Sequence, residues 1–519
     1  MSPWWRSAVL YEIYVRSFAD ANGDGIGDLE GIRSRLPYLR ALGVDGIWLT
    51  PFYPSPGADH GYDVADYTGV DPQFGTLDDF DALVANAHEH DLRVVIDIVP
   101  NHTSSAHEWF RNALSSPDHP DRARYVFRQG RDGGPPNNWT SVFGGSAWTP
   151  LSREAGQYYL HFFSPDQPDL DWHNPDVRAD FEDVLRFWLD RGVDGFRIDV
   201  AQALFKAQDL HDMEEPSPRT WHADWVTAVN QPELHDLYRS WRRVADEYPR
   251  EPIFVGEIVL RDQEAMARYL AADQLQLAFN FLLLHEEWDA EAMRETIDAT
   301  RAALDAVGAS ATWVLENHDV PRLPTRYGGG ARGRRRARAA ALLLLALPGT
   351  AFLYQGQELG LEEVELRDDE RQDPIFHRTG GGRLGRDGCR VPLPWSGAVA
   401  PFGFTTGMPW LPMPPAWASQ TVAVQQSDPG SSLSLHRAAL AGRREHESLR
   451  TGSFSWRDSA TGTLVFAREG DDETIVCAVN VAADTVELPA GELLLASAAD
   501  VGGALPPDTA AWLREERRG

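Results

Sequence analysis

Lysine, cysteine and long hydrophobic runs are all scarce in this sequence. Lys206 is the only lysine among 48 Lys and Arg residues, which we attribute to genomic base composition. The longest apolar run, residues 339–347, is far shorter than the ~20 residues of a membrane-spanning helix, so we expect no membrane span. The first residues, MSPWWRSAVLYEIYV, lack the basic start, apolar run and cleavage site of a signal peptide. We therefore expect a cytoplasmic protein.

Two cysteines, Cys389 and Cys477, allow one disulfide at most, which could not organise 519 residues. The core must therefore be hydrophobic. Positive charge is also in deficit, because 78 Asp and Glu residues outnumber 48 Lys and Arg residues and leave a net charge of −30. Phosphate backbones and anionic lipids repel such a chain, so we expect neither nucleic acid nor a membrane surface as a partner. A composition with 43% hydrophobic and 24% charged residues is that of a globular protein.

Eight short apolar runs alternate with amphipathic stretches along the first 360 residues. These runs lack the alternation of half-exposed strands and predict strands buried on both faces, as in a parallel sheet. They cover residues 9–15, 46–52, 92–100, 195–201, 252–258, 275–280, 311–317 and 350–356. Eight such strands alternating with helices predict an α/β fold, a (β/α)8 TIM barrel rather than a doubly wound sheet.

Two regions depart from this alternation. Residues 103–170 contain Gly, Pro, Trp and Tyr without a clear helical period, which predicts a subdomain inserted after the third strand. From about residue 450, short alternating strands separated by Gly and Asp predict a C-terminal antiparallel β domain. We therefore divide the chain into three predicted units: the barrel (1–102 and 171–447), the inserted subdomain (103–170) and the C-terminal domain (448–519).

Acidic side chains stand at the ends of the predicted strands, where barrels of this type carry their chemistry. Asp199 ends the fourth strand, Glu257 ends the fifth and Asp319 follows the seventh. One acid at a strand end is usually a salt bridge or a helix cap, but three on separate strands indicate a two-carboxylate glycosidase with a third acid. Arg197 precedes Asp199 by two residues, so it faces the same way and can keep that carboxylate ionised.

Five motifs resemble those of a known enzyme family. Four resemble, in order and on the predicted strands, the signature regions of the α-amylase superfamily (glycoside hydrolase family 13): DIVPNH (97–102), GFRIDVA (195–201), VGEI (255–258) and ENHD (316–319). QPDLDW (167–172) resembles an additional signature of its oligo-1,6-glucosidase and α-glucosidase branch, where the fifth residue is usually Asn rather than Asp171.

The resemblance implies a role for each acid. Asp199 would be the nucleophile, Glu257 the general acid/base, and Asp319 the acid that holds sugar hydroxyls and distorts the ring. The predicted substrate-binding residues are Asp63, Tyr62, His102, Arg197, His318, Arg390, Arg386, Phe143 and Phe163. The resemblance implies this role for Asp63, Tyr62, His102, His318 and Arg390, and Arg386 lies one turn's spacing before Arg390. Phe143 and Phe163 are candidates for the pocket wall, and the alternative for either is a place in the core of the inserted subdomain. Tyr62 would stack on the terminal glucose, and Asp63 would pair with Arg390 across the end of the pocket. Such a pair would close the pocket, so we expect an exo-acting enzyme for short substrates.

The segment DANGDGIGDLEG (20–31) places oxygen atoms at alternate positions. Alternating oxygens with central glycines can wrap a hard cation, although Gly31 stands where an EF-hand has its last acid. The resemblance implies one structural Ca2+ or Mg2+ here, and the alternative is an Asx-rich turn without metal. The predicted ligands are Asp20, Asn22, Asp24, the Ile26 carbonyl and Asp28.

Together these features predict a retaining α-glucosidase that removes terminal glucose from small α-glucosides. The alternative is a transferase or isomerase on the same scaffold, such as a trehalose synthase or sucrose isomerase, because these enzymes use the same three acids. Transporter-associated relatives with an inactive barrel and a membrane anchor are disfavoured, because all three acids are present. The linkage preference stays open: Val200 tends to accompany α-1,6 cleavage in the branch, whereas Ala201 and Gln202 are nearer to α-1,4 enzymes.

Overall fold

The structure, a computed structural model, describes residues 3–213, 228–499 and 501–515. Eight parallel strands in this part of the chain form one sheet in the order β7-β8-β1-β2-β3-β4-β5-β6, and a bridge between Asn280 and Trp313 joins its two edges. The predicted (β/α)8 barrel is therefore confirmed. Its strands are β1 Val9–Ile13, β2 Gly46–Leu49, β3 Arg93–Ile98, β4 Gly195–Ile198, β5 Ile253–Gly256, β6 Leu277–Ala278, β7 Thr312–Val314 and β8 Thr350–Tyr354.

The barrel strands are buried on both faces, as their continuous apolar runs predict. Every residue of β1, β2, β4, β5 and β8 is buried. The longer helices that cover them are Leu29–Leu42, Leu77–Glu89, Pro175–Asp190, Glu233–Ala245, Ala290–Asp305, Gly330–Ala346 and Ser432–Glu445. The shorter helices are Val15–Phe18, Glu108–Ser115, Gln263–Arg268, Phe281–His285, Leu323–Arg326, Pro374–Arg378, Val422–Gln426 and Glu447–Thr451. Among the described residues, the 3-10 turns are Trp4–Ser7, Pro120–Arg124, Asp368–Glu370, Asp387–Cys389 and Pro415–Ser419.

Local capping explains where two of the barrel helices begin or end. The Thr76 hydroxyl accepts the amide of Asp79, and the Asp79 carboxylate accepts the amide of Thr76, which closes a capping box. Gly43 has φ of 101° and donates its amide to the Leu39 carbonyl. This left-handed conformation favours glycine, so the chain turns there from the helix Leu29–Leu42 into β2.

The inserted region contains a three-stranded antiparallel sheet, one α-helix and the 3-10 turn Pro120–Arg124. Its strands are Phe127–Gln129, Trp148–Pro150 and Gln157–Leu160. The helix Glu108–Ser115 corrects the expectation of a region without helical structure. Its N-terminus is capped by the His107 ring, which accepts the Trp109 amide, so a histidine supplies the cap that Ser, Thr or Asp usually provides.

The C-terminal region is an antiparallel sheet in the order β9-β10-β11-β13-β12. The strands are β9 Ser453–Trp456, β10 Thr463–Glu469, β11 Thr474–Asn480, β12 Glu492–Ala496 and β13 Thr509–Arg514. A two-stranded pair, Val486–Glu487 with Ala504–Leu505, flanks it. The last strand, β13, is inserted between β11 and β12 and pairs with both.

Both cysteines are free and buried, so no disulfide links Cys389 with Cys477. None of the helices within the described ranges has the length and hydropathy of a membrane span.

Two buried arginines connect the barrel to the chain that follows it. Arg468 of β10 donates to the carbonyls of Ala346, Leu449 and Gly452. Arg443 donates to the carbonyls of Leu345 and Gly349. Both therefore satisfy carbonyls at or beyond the C-terminal end of the helix Gly330–Ala346, which the helix itself leaves without a donor.

We expect Arg468→Met to lower Tm markedly, because several buried carbonyls lose their donor and each unsatisfied group costs ~1–3 kcal/mol. Arg514→Met is the matched control, because Arg514 is 44% exposed and pairs with Glu492 at the surface. Thermal unfolding followed by circular dichroism should show a much larger fall for the first variant. Equal shifts for the two variants would contradict this role of Arg468.

Candidate active site

A cavity of about 460 Å³ lies where the barrel strands end. It is lined by all three predicted catalytic acids, Asp199, Glu257 and Asp319. Predicted substrate-binding residues in its wall are Tyr62, His102, Phe143, Phe163, His318 and Arg386. A larger hollow of about 1070 Å³ in the C-terminal domain is lined by residues between 457 and 515 and contains none of these groups.

The Arg197 guanidinium joins three carboxyl groups at the base of the cavity. Its Nη1 atom lies 2.6 Å from Asp199 Oδ1 and 3.0 Å from Asp97 Oδ1, and its Nη2 atom lies 2.6 Å from Glu257 Oε2. The register of the sheet sets this arrangement, because Asp97 of β3 is the direct neighbour of Arg197 on β4. The guanidinium also lies 5.1 Å from the centre of the Trp48 ring, which holds it from the barrel interior.

Burial makes Asp97 and Asp199 hard to ionise. It raises the pKa of Asp97 to about 7, although Arg197 opposes the shift. Burial likewise raises the pKa of Asp199, with Arg197 opposing and Glu257 adding to the rise. The expectation that Arg197 favours an ionised Asp199 therefore has the right sign, but burial is the larger influence. One guanidinium serves both carboxyls, so Asp97 and Asp199 titrate as a coupled pair.

Asp319 lies under the opposite electrostatic balance. Burial alone would raise its pKa, but His318, Arg386 and Arg390 together hold the pKa of Asp319 well below its usual range. Arg390 Nη2 donates to Asp319 Oδ1 at 2.8 Å, and Arg386 Nη1 donates to the same oxygen at 3.2 Å. Asp319 is therefore ionised throughout the neutral range.

His318 is clamped between barrel groups. Its Nδ1 atom bonds Glu12, and its Nε2 atom lies 2.7 Å from the Tyr62 hydroxyl. The Tyr62 ring stacks on the imidazole with 5.4 Å between ring centres and 12° between planes. The Tyr62 hydroxyl in turn donates to Asp97 Oδ2 at 3.1 Å. A chain of hydrogen bonds therefore links His318 and Tyr62, two of the predicted substrate-binding residues, to Asp97.

The predicted ion pair between Asp63 and Arg390 is wrong. The Asp63 carboxylate instead accepts the Ser55 hydroxyl and the amides of Ala58 and Asp59, which makes it a turn-forming group. It is not among the residues that line the cavity. Arg390 donates to the His318 carbonyl and to Asp319, and it too lies behind the cavity wall.

The ion pair at the end of the cavity is formed by Asp59 and Arg386. Arg386 Nη2 lies 2.6 Å from Asp59 Oδ1, and its Nε atom lies 2.7 Å from Asp373 Oδ2. Both Asp59 and Arg386 line the cavity. Burial raises the pKa of Asp59 to about 6, and the two arginines oppose the shift. Asp59 and Asp63 lie four residues apart in one loop, and the sequence prediction chose Asp63. Only the fold shows that Asp59 is the one that points into the cavity.

Aromatic residues of the inserted subdomain form one side of the cavity. Phe163 lies 5.1 Å from the His102 ring and 5.5 Å from the Phe143 ring, measured between centres. Phe143 also lies 5.3 Å below the Arg386 guanidinium. Val200 completes this wall and adopts φ of 45°, a strained conformation for a β-branched residue.

The predicted metal loop lies apart from this cavity. Asp20 accepts the amides of Gly23 and Gly25, and Asp28 accepts those of Ala21, Asn22 and Gly31. Asn22 and Asp24 accept the amides two residues ahead, those of Asp24 and Ile26. The described residues include no cluster of three His, Cys, Asp or Glu side chains arranged to hold a metal. The loop geometry is thus that of Asx turns, and the cation stays a prediction.

Several groups at the site were not among the predicted residues. Asp97 and Gln167 stand inside the recognised motifs, so their positions could have been noticed. Asp59 stands three residues before the predicted Tyr62. Glu12 and Asp373 carry no local signal, because they are a strand residue and a helix cap that only the fold brings to His318 and Arg386.

We expect Asp97→Asn to change how stability depends on pH. Because the folded-state pKa of Asp97 exceeds the unfolded value of ~4, the folded wild type binds an extra proton at pH 4 to 7. Its free energy of unfolding should therefore fall as pH rises through that window. Urea unfolding at pH 4.5 and 7.5 should show a smaller fall for Asp97→Asn. An equal or larger fall in the variant would contradict the raised pKa.

Comparison with protein families agrees with this geometry. The model of the alpha amylase catalytic domain matches residues 12–452. A probable alpha-glucosidase from Rhizobium meliloti (strain 1021) is 42% identical over 94% of this chain and 91% of its own length. An oligo-1,6-glucosidase from Heyndrickxia coagulans is 35% identical over 97% of both chains.

Solved structures agree with this fold. An alpha-glucosyl transfer enzyme superposes with a TM-score of 0.92 at 40% identity, covering 99% of this chain and all of that one. The trehalulose synthase from Pseudomonas mesoacidophila MX-45 superposes with a TM-score of 0.91 at 34% identity and the same coverage. The chain therefore belongs to the α-amylase family of glycoside hydrolases, family 13, in the branch of the α-glucosidases and oligo-1,6-glucosidases.

Proposed function

We propose that this glycoside hydrolase is a retaining, exo-acting α-glucosidase for small α-glucosides. The observation that carries the proposal is that Asp199 and Glu257 both contact the Arg197 guanidinium. They do so in a cavity whose far end is closed by Arg386 and Asp59. Two carboxyls close together fit double displacement, in which one forms a glycosyl ester and the other serves as acid and then base.

The contacts of the two carboxyls divide the work between them. Asp199 Oδ1 accepts from Arg197, which leaves Oδ2 to attack the anomeric carbon. Glu257 Oε2 pairs with Arg197 Nη2 at 2.6 Å and accepts the Val200 amide at 3.0 Å. This leaves Oε1 as the oxygen that protonates the leaving group. Water then attacks the glycosyl–Asp199 ester while Glu257 takes its proton. The Glu257 carboxylate forms in the first step and the Asp199 carboxylate is released in the second. Both form beside the Arg197 guanidinium, which stabilises their negative charge.

The closed end of the cavity supports exo-action. Arg386 spans from Asp59 to Asp319 and is held from behind by Asp373. A sugar with a free non-reducing end can meet these charged groups with its hydroxyls, whereas a longer chain would have to displace them. The substrate would therefore enter with its terminal glucose first.

Transfer or isomerisation is the second candidate activity. It is favoured by the likeness to an alpha-glucosyl transfer enzyme and to a trehalulose synthase, both above 30% identity. In those reactions a sugar hydroxyl, rather than water, attacks the ester on Asp199. Product analysis on maltose, isomaltose, sucrose and trehalose would separate hydrolysis from transfer and would give the linkage preference.

We expect Asp199→Asn to lower kcat by ~10⁴-fold or more, because the ester cannot form without the carboxylate. Proton NMR of the wild-type reaction should show α-glucose as the first product. An initial β product would contradict double displacement. More than a few per cent residual activity in the variant would contradict the role of Asp199.

We expect Asp59→Asn to lower kcat/KM on maltose by at least ~30-fold, equivalent to the ~2 kcal/mol or more lost when one partner of a buried charge pair is removed. Asp63→Asn is the comparison, because Asp63 lies in the same loop but faces away from the cavity. It should lower Tm while costing less activity. The closed-pocket proposal fails if Asp63→Asn loses more activity than Asp59→Asn. It also fails if the wild-type enzyme rapidly lowers the viscosity of starch without releasing glucose.

We also propose that the loop Asp20–Asp28 binds one structural Ca2+ or Mg2+. Three carboxylates within nine residues support this, since each keeps lone pairs beyond those used by loop amides. Added Ca2+ should raise Tm with its concentration and excess EDTA should lower it, while initial rates barely change. Asp24→Asn should lose this response. Identical wild-type melting curves in EDTA and in Ca2+ or Mg2+ would refute the site.

A further inference from the structure

The single lysine of the chain is buried where three parts of the fold meet. Lys206 Nζ lies 2.7 Å from Asn101 Oδ1 after β3, 3.0 Å from Asp169 Oδ2 at the end of the inserted region, and 3.3 Å from the Leu204 carbonyl after β4. The side chain is 5% exposed. Burial lowers the pKa of Lys206, and Asp169 opposes that shift.

The site demands an ammonium group rather than a guanidinium. A lysine side chain has three N–H donors in a compact head, and three acceptors surround Nζ here. The planar fork of arginine does not match three acceptors converging on one nitrogen. The other 47 Lys and Arg residues of the chain are all arginine, so composition alone does not explain why this position is a lysine. Base composition accounts for the scarcity of lysine, and the three acceptors give a structural reason for the one lysine that is present.

Lys206 determines which way the Asn101 amide points. An ammonium can only donate, so the Asn101 atom facing it must be the oxygen. The amide nitrogen Nδ2 then points the other way, 3.3 Å from Asp169 Oδ1 and 3.1 Å from His102 Nδ1. Its two hydrogens have these two acceptors.

The orientation of Asn101 in turn decides the protonation of His102. A ring nitrogen that accepts from Asn101 carries no hydrogen, so the neutral imidazole must carry it on Nε2, which lies 3.1 Å from the Tyr62 carbonyl. Burial lowers the pKa of His102 to about 4, so the ring is neutral at pH 7. Gln167 pulls the other way, because its amide nitrogen also lies 3.1 Å from Nε2 and would donate to a bare nitrogen there.

We propose that Lys206 is a positioning residue, which through Asn101 fixes His102 as the Nε2–H tautomer in the wall of the substrate cavity. His102 lines that cavity. The inference rests on the proposed function for its effect on turnover, but the tautomer is a property of the free protein. Without Lys206, Asn101 can turn over and Gln167 then favours the Nδ1–H form.

The first test compares Lys206→Met with the double variant Lys206→Met/Asp169→Asn. The single variant leaves Asp169 buried without its cation and should lower both Tm and kcat/KM. The double variant removes both charges, so Tm should largely recover. We expect kcat/KM on maltose to stay ~10-fold or more below wild type, the size of effect seen when a group that orients a site residue is lost. Lys206→Arg should not restore it.

Recovery of wild-type kcat/KM in the double variant would overturn the proposal, because Lys206 would then only neutralise Asp169. Wild-type activity in Lys206→Arg would overturn it as well. The second test is long-range 1H–15N NMR of the free, histidine-labelled protein, with His102→Gln to assign the signal. We expect Nε2–H in wild type and a shift toward Nδ1–H in the double variant. An unchanged Nε2–H signal would refute the proposal whatever the enzyme's activity proves to be.

Discussion

The Arg197 guanidinium is the interaction on which the site depends. It is buried, and it contacts Asp97, Asp199 and Glu257 from three adjacent strands. Burying three carboxyls beside one cation is costly, and only the barrel, which fixes the register of β3, β4 and β5, holds them in place. Burial raises the pKa of Asp97 to about 7 and raises the pKa of Asp199 as well, although Arg197 opposes both shifts.

A second set of arginines defines the other end of the cavity. Arg386 and Arg390 both reach Asp319 and hold it ionised, while Arg386 alone continues to Asp59. The two ends thus differ electrostatically: carboxyls outnumber the cation at the reacting end, and cations surround the carboxylate at the sugar-holding end. A transition state that gains positive charge at the anomeric carbon is stabilised by the first arrangement, and sugar hydroxyls are oriented by the second.

The histidines between these ends are held by chains of hydrogen bonds. His318 is fixed by Glu12 and Tyr62, and His102 by Asn101, which Lys206 orients. The buried lysine also ties the inserted subdomain to two barrel strands through Asp169. The subdomain that supplies Phe143 and Phe163 to the cavity is therefore anchored by the same groups that set the state of a cavity histidine.

The sequence by itself determined the barrel, its eight strands, the family and the three acids of the cavity. These features depend on local patterns: apolar runs set the strands, and acids at strand ends meet at one edge of a parallel barrel. The tertiary structure alone decided that Asp59 rather than Asp63 meets an arginine, that this arginine is Arg386, and that Glu12, Asp373 and Lys206 support the site. The partners of these residues are tens to hundreds of positions away, and the direction of a loop side chain depends on packing that no local pattern records.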